Sequence, residues 1–123
     1  MKITELRIGS IVQLKQSKSP HHVDQIVDNG IQELIHLEGN LIVNRMDQIE
    51  GVRLNPDILE NCGFKEVKAR SGIMASFKNG GVRINMSNSG NYYYGNTPCS
   101  YLHLLQNLFL ACEGVELTVN IEI

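Results

Sequence analysis

No apolar run in this chain is long enough to cross a bilayer. The longest, residues 108–112, falls far short of the roughly 20 residues a spanning helix needs. Residues 1–20 hold no basic start followed by an apolar block, so no secretory leader is predicted and the expected location is cytoplasmic. Cysteine is scarce, and Cys62, Cys99 and Cys112 are odd in number and far apart, which fits reduced thiols better than a disulfide framework. There is no Cys-x-x-Cys and no His-x-x-x-His pair, and His21 and His22 are adjacent, so on an extended segment they point to opposite faces. Neither a metal nor a cofactor is therefore expected. No excess of one charge sign exists either, since 11 basic and 13 acidic residues leave a formal charge of −2. Residues 1–54 carry six basic and seven acidic groups and residues 55–123 carry five and six, so neither half looks like a nucleic-acid tail.

What is present is a core. Hydrophobic residues make up 42% of 123 residues, enough for one domain or two small lobes. The first half reads as short strands separated by turn chemistry. Residues 11–14 are β-prone, 15–20 form a polar loop ending in Pro20, and 23–27 and 31–37 flank Asp28-Asn29-Gly30. Asn-Gly readily takes positive φ at both centres of a type I′ turn, so a tight hairpin is expected there. A turn at 38–40 leads into a strand at 41–43, a helical or 3₁₀ turn at 46–49, and a strand at 52–54. Strands this short and this closely hairpin-linked predict a small bent sheet or SH3-like barrel over residues 1–54.

The pattern changes at Asn55-Pro56. Asn55 suits a helix cap, Pro56 the first helical position and Asp57 the positive end of the dipole, and Gly63 can stop the helix in the left-handed region with Phe64 closing it. This predicts a short helix over 56–62. Strands follow at 64–67, 73–77 and 82–86, the last two joined by Lys78-Asn79-Gly80-Gly81. Tyr92, Tyr93 and Tyr94 form a short edge strand between Asn/Ser/Gly loops. Thr97 and Pro98 read as the start of a long helix over 98–113, ended by Gly114, with a broad apolar face and a polar stripe of His103, Gln106, Asn107 and Glu113. Residues 115–122 alternate apolar and polar, as a terminal strand does. The fold class is α+β: a β-rich lobe over 1–54, and a lobe over 55–123 in which one long helix packs on an antiparallel sheet.

Few residues point to chemistry. Cys99 and His103 lie four apart, hence on one face of the expected helix, with the thiol in a first turn where the dipole lowers its pKa. That is the arrangement a nucleophilic cysteine needs. No orienting third group or oxyanion signature accompanies it, and a small core filler beside a wet stripe explains the pair equally. Gly80-Gly81 is followed by no Lys-Ser or Lys-Thr, so it is a turn and not a phosphate loop. The tyrosines carry more weight. Tyr92, Tyr93 and Tyr94 among adaptable polar residues match the composition of recognition surfaces, the plain alternative being Tyr93 turned inward and its neighbours shielding an edge.

Three segments show a resemblance. Leu6-Arg7-Ile8-Gly9, the stretch from Leu54-Asn55-Pro56 to Cys62-Gly63-Phe64, and the stretch from Tyr101-Leu102-His103 to Gly114 and Leu117 resemble a group of short uncharacterised proteins of Bacteroidetes genomes and their prophages. That group has an RIGN-like start, a PLTEEWLLKFGF-like middle and a YVHQLQNLYFALTGEEL-like end. The chain departs from it at Ser10 (Asn in the group), at Leu104 (Gln) and at Cys112-Glu113 (Leu-Thr). The resemblance implies no known activity or cofactor. It brings Tyr101, His103, Gln106 and Asn107 forward as motif residues, the last three being candidates to line a binding surface, and it leaves Cys99 outside.

The function expected from all this is a non-enzymatic interaction module, an accessory protein of a phage or mobile element, touching an unidentified protein partner. Its binding residues would be Tyr92, Tyr93, Tyr94, His103, Gln106 and Asn107. Exposed strand edges favour self-pairing too, so a homodimer is a further expectation. The alternatives are a small enzyme using Cys99 and His103, and a nucleic-acid-binding module in the β-rich lobe, which the even charge balance disfavours.

Overall fold

A computed structural model describes residues 1–40 and 43–121. The chain divides into two compact units, Met1–Val52 and Arg53–Ile121, two residues ahead of the boundary expected at Leu54/Asn55. Each unit is built on a five-stranded antiparallel sheet, which makes the protein α+β.

In the first unit, a 3₁₀ turn (Ile3–Glu5) precedes β1 (Ile11–Leu14), β2 (Pro20–Asp28), β3 (Glu33–Leu37) and β4 (Val43–Arg45). A second 3₁₀ turn (Met46–Gln48) then feeds β5 (Ile49–Gly51). The order β4-β3-β2-β1-β5 shows that the last strand folds back beside the first, and among the described residues no pairing joins β4 to β5 to close a barrel. Val12, Val23, Ile35, Leu37 and Ile49 converge with Leu6 in one cluster, each removed almost wholly from water. Burial of side chains of this size stabilises by about 1.5–3 kcal/mol apiece before entropy is charged. Asp24 is the extra residue of a β-bulge, because Val23 pairs with Leu37 while Gln25 pairs with His36, and its carboxylate meets the His36 imidazole.

Four expectations fail in this unit. Pro20 begins a strand rather than ending a loop; it pairs with Gln13. The Asn29-Gly30 hairpin is a wider loop over 29–32 and not a two-residue turn, since the last ladder pair is Asp28 with Glu33. Only Gly30 has positive φ there, at +81°. Asn29 spends its side chain on the loop itself, accepting from the Ile31 and Gln32 N–H groups at 2.9 and 2.7 Å, so it does not take the second left-handed position. Ile31, expected in a strand, is 91% exposed at the loop tip. The strand expected at 52–54 forms instead at Ile49–Gly51, beside β1. Of the strand expected at 41–43, residues 41 and 42 lie outside the described residues.

The second unit opens with α1 (Pro56–Asn61). Asn55 Oδ1 accepts from the Ile58 N–H at 2.8 Å, and Gly63 sits at φ +82°. The Phe64 N–H donates to the Leu59 carbonyl and the Gly63 N–H to the Glu60 carbonyl, both at 2.9 Å, which together make a Schellman stop. Then come β6 (Lys65–Val67), β7 (Ala75–Asn79), β8 (Val82–Met86), β9 (Tyr92–Tyr94), β10 (Thr97–Pro98) and α2 (Leu102–Glu113), with sheet order β10-β9-β8-β7-β6. Leu102, Leu105 and Phe109 are buried along one stripe of α2, and Phe109 meets Phe64 edge-on at 6.4 Å. On the sheet face that bears Phe77 and Tyr92, the two rings lie 6.5 Å apart.

The long helix does not begin at Pro98. Thr97 and Pro98 pair with Tyr94 and Tyr93, and the following residues stay extended because their backbone groups are taken from both sides. The Cys99 N–H donates to the Tyr92 carbonyl at 2.8 Å, the Leu54 N–H donates to the Ser100 carbonyl at 2.9 Å, and Tyr101 bridges to Arg53. Capping preferences at Thr97 lose to these bonds, and α2 starts at Leu102 with no side-chain cap. The expected terminal strand is absent from 115–121. Leu117 is buried as alternation requires, and the Asn120 N–H bonds the Asn61 carbonyl at 2.9 Å, but no ladder forms.

Candidate functional site

Cys99 is placed by the extended stretch before α2, so it is not in a first helical turn, and it is 3% exposed. Burial pushes its thiol up to about 12, the reverse of the depression expected. The thiol therefore stays protonated at neutral pH, and the Cys99–His103 nucleophile loses its premise. Cys62 behaves likewise, pushed up to about 11 by burial. Among the described residues no three His, Cys, Asp or Glu side chains gather in a way that would hold a metal ion. Among the described residues no helix is long and apolar enough to cross a membrane.

His103 and Gln106 were expected on a polar stripe lining a surface. They are 1% and 3% exposed and belong to the interior. The Tyr101 ring lies 6.0 Å from the His103 imidazole, and the Arg53 guanidinium sits 5.8 Å above the Tyr101 ring. Arg53 also donates to Asn91 Oδ1 at 2.7 Å, so this cation fastens the 87–91 loop to the start of the unit. Asn107 is half-buried beside them, and His103, Gln106 and Asn107 are all engaged within the fold. Burial places His103 and Gln106 inside the fold rather than on an exposed stripe.

The three tyrosines separate. Tyr92 is 2% exposed against Phe77, its N–H donating to Ser100 Oγ at 3.0 Å. Burial raises its phenol, with Arg53 pulling the other way. It is a core residue, so the inward ring is Tyr92 and not Tyr93. Tyr94 returns to the same side of the strand, where its hydroxyl lies 3.8 Å from Cys112 Sγ and interaction with that sulfur raises its pKa. Tyr93 points the other way. It lines an open groove of about 360 Å³ with Ile73, Asn85, Met86, Ser87 and Asn96.

Cross-strand register shows what else shares that face. Val67, Ser76, Asn85 and Tyr93 stand in one row across β6 to β9, and Ser76 Oγ donates to Asn85 Oδ1 at 2.6 Å. The next row is Lys65, Lys78 and Arg83. Sequence reading found Tyr93 but missed this row, because three cations spread over 19 positions form no run; only the pairing register aligns them. The edge strands on which self-pairing was expected are short. Strands β4, β5 and β6 have three residues each, and β10 has two, one of them Pro98, which lacks a donor. Compared with known protein families, curated proteins and solved structures, the chain matches none.

Proposed function

We propose that the chain works as a binding module, engaging its partner through the Tyr93 face of the second sheet. The observation that carries this reading is the two-sidedness of that sheet. One face is filled by Phe77, Ile84 and Tyr92, while the other presents a half-buried tyrosine beside an open groove with amide and hydroxyl groups around it. An aromatic ring held by its strand and flanked by adaptable polar groups supplies contact area at small entropic cost. The protonated state of Cys99 and the burial of His103 support a role in contact over one in nucleophilic chemistry. The resemblance at Leu6–Gly9, Asn55–Phe64 and Tyr101–Leu117 supports placing the module among accessory proteins of mobile elements.

Affinity capture from the native host tests this, comparing the parent chain with Tyr93→Ala and Tyr94→Ala. The parent should retain a protein or nucleic acid that Tyr93→Ala loses and Tyr94→Ala keeps. An identical captured set from all three overturns the Tyr93 face as the contact surface.

A further inference from the structure

Lys65, Lys78 and Arg83 lie directly opposite one another on three neighbouring strands. Strand spacing of about 4.8 Å puts the three cations within roughly 10 Å across the sheet. Like charges directly opposite destabilise a sheet, so such a row calls for a compensating anion. Among the described residues no carboxylate pairs with any of the three. Lys65 and Lys78 are exposed and Arg83 is half-buried. The described acidic residues of this unit lie off the row. Asp57 and Glu60 are on α1, Glu113 ends α2 with its carboxylate on the Gly81 N–H of the β7–β8 turn, and Glu116 follows α2, engaged within the fold. Glu66, opposite Phe77, alternates onto the other face. A unit with a near-even charge count is thus divided by face, with positive charge gathered beside the Tyr93 groove.

Resting on the binding-module reading above, we infer that this face binds single-stranded nucleic acid. The Lys65–Lys78–Arg83 row meets the phosphates, a base stacks on Tyr93, and the Asn85 amide nitrogen, left over once Ser76 bonds its oxygen, reads a base edge. An unstacked base is required, because a ring set in a sheet face cannot reach between paired bases. Both RNA and DNA satisfy this chemistry.

Fluorescence anisotropy of the full chain with labelled oligouridine, oligothymidine and a duplex, each of about 12 nucleotides, tests the inference. Single strands should bind more tightly than duplex, with a log–log salt slope of about −2, as three phosphate contacts on a single strand require. The RNA and DNA arms identify which sugar is preferred. Lys78→Glu/Arg83→Glu should reduce that slope to about −1 or less and weaken binding at least about tenfold, whereas Lys2→Glu/Lys15→Glu, the same charge change in the other unit, should leave both unchanged. Tyr93→Ala should weaken binding about tenfold at an unaltered slope, and Tyr93→Phe should retain it. The thermal midpoint of Lys78→Glu/Arg83→Glu should hold or rise, since mixed signs replace like ones, so lost binding cannot be ascribed to unfolding. Absence of binding at low salt, equal binding by the row variant and the parent, or displacement by heparin together with indifference to Tyr93→Ala overturns the inference. If no oligonucleotide binds but a captured protein still depends on Tyr93, the ligand is wrong and the binding face stands; if neither is seen, both readings fall.

Discussion

The two sheets solve one packing problem in different ways. The first curls over its own apolar cluster, Val12, Val23, Ile35, Leu37 and Ile49, supplied by four of its five strands and closed by Leu6. The second stays open: Phe77, Ile84 and Tyr92 face inward, α2 lies nearby through β8, and the reverse side carries cations, amides and Tyr93. A sheet that covers its own interior has its outward side left for solvation. A sheet partnered by a helix keeps one flat, rigid face on which side chains from four strands can be arranged, which is a better platform for recognition.

The hairpins repeat the contrast. Loop 29–32 in the first unit is held by its own Asp28 and Asn29 side chains. In the second unit, Asn79 pairs with Val82 around a two-residue turn, with positive φ at Gly80 only, as a type II′ turn needs. That turn is gripped from both helices: Asn79 Nδ2 donates to the Cys62 carbonyl at 3.0 Å, and the Gly81 N–H donates to the Glu113 carboxylate.

The largest effect should separate the two sides of the second sheet. Tyr92→Ala removes a ring packed on Phe77 and should cost about 3–5 kcal/mol in urea unfolding. Tyr93→Ala should cost about 1 kcal/mol or less. Equal losses would show that the outward face is not outward.

Alkaline pH should strike only the second unit, where both buried thiols lie. Cys62 and Cys99 ionise near 9.0 when unfolded and at about 11 and about 12 when folded. Between those values the unfolded chain binds fewer protons than the folded one, so stability is full below about 9 and falls as pH rises through 11 to 12. Cys62→Ala/Cys99→Ser should flatten that decline. Exposed Cys112 should be alkylated by iodoacetamide at neutral pH while the other two react only on unfolding; rapid labelling of Cys99 would restore the enzyme reading.

Smaller effects test the hairpins. Gly30→Ala meets nothing within 4 Å and should cost only the left-handed backbone penalty of about 1–2 kcal/mol. Gly80→Ala places a Cβ 2.6 Å from Glu113 Oε1, so it should cost more, and Glu113→Ala should bring it back to the Gly30 value. Removing the α1 cap with Asn55→Ala should cost about 1 kcal/mol, read as a shift in thermal midpoint.

Local grammar was readable wherever the partners are close in sequence. The whole of α1, from the Asn55 cap to the Gly63–Phe64 stop, follows from residues within one decade of the chain, and the hairpin at Asn79–Gly81 follows from its turn residues. Where partners are distant, the same grammar misled. Thr97-Pro98 has the chemistry of a helix start, yet Tyr92, Tyr94 and Leu54 claim its neighbourhood for extended backbone. Asn29-Gly30 has the chemistry of a tight turn, yet the ladder ends at Asp28 and Glu33. His103 and Gln106 look like a wet stripe and are interior because burial around a helix depends on how many neighbours surround it.

By itself the amino-acid order determined the class of the protein, its division near residue 53, the ends of α1, the exit of α2 at Gly114 and the strand at Tyr92–Tyr94. Each of these depends on side chains acting on backbone a few residues away, where chain connectivity sets the geometry. The tertiary structure alone decided that Tyr92 turns in while Tyr93 turns out, that Cys99 is sealed as a neutral thiol, and that Lys65, Lys78 and Arg83 share one row. Those outcomes rest on strand register and burial, which bring together groups that sequence separation leaves unrelated.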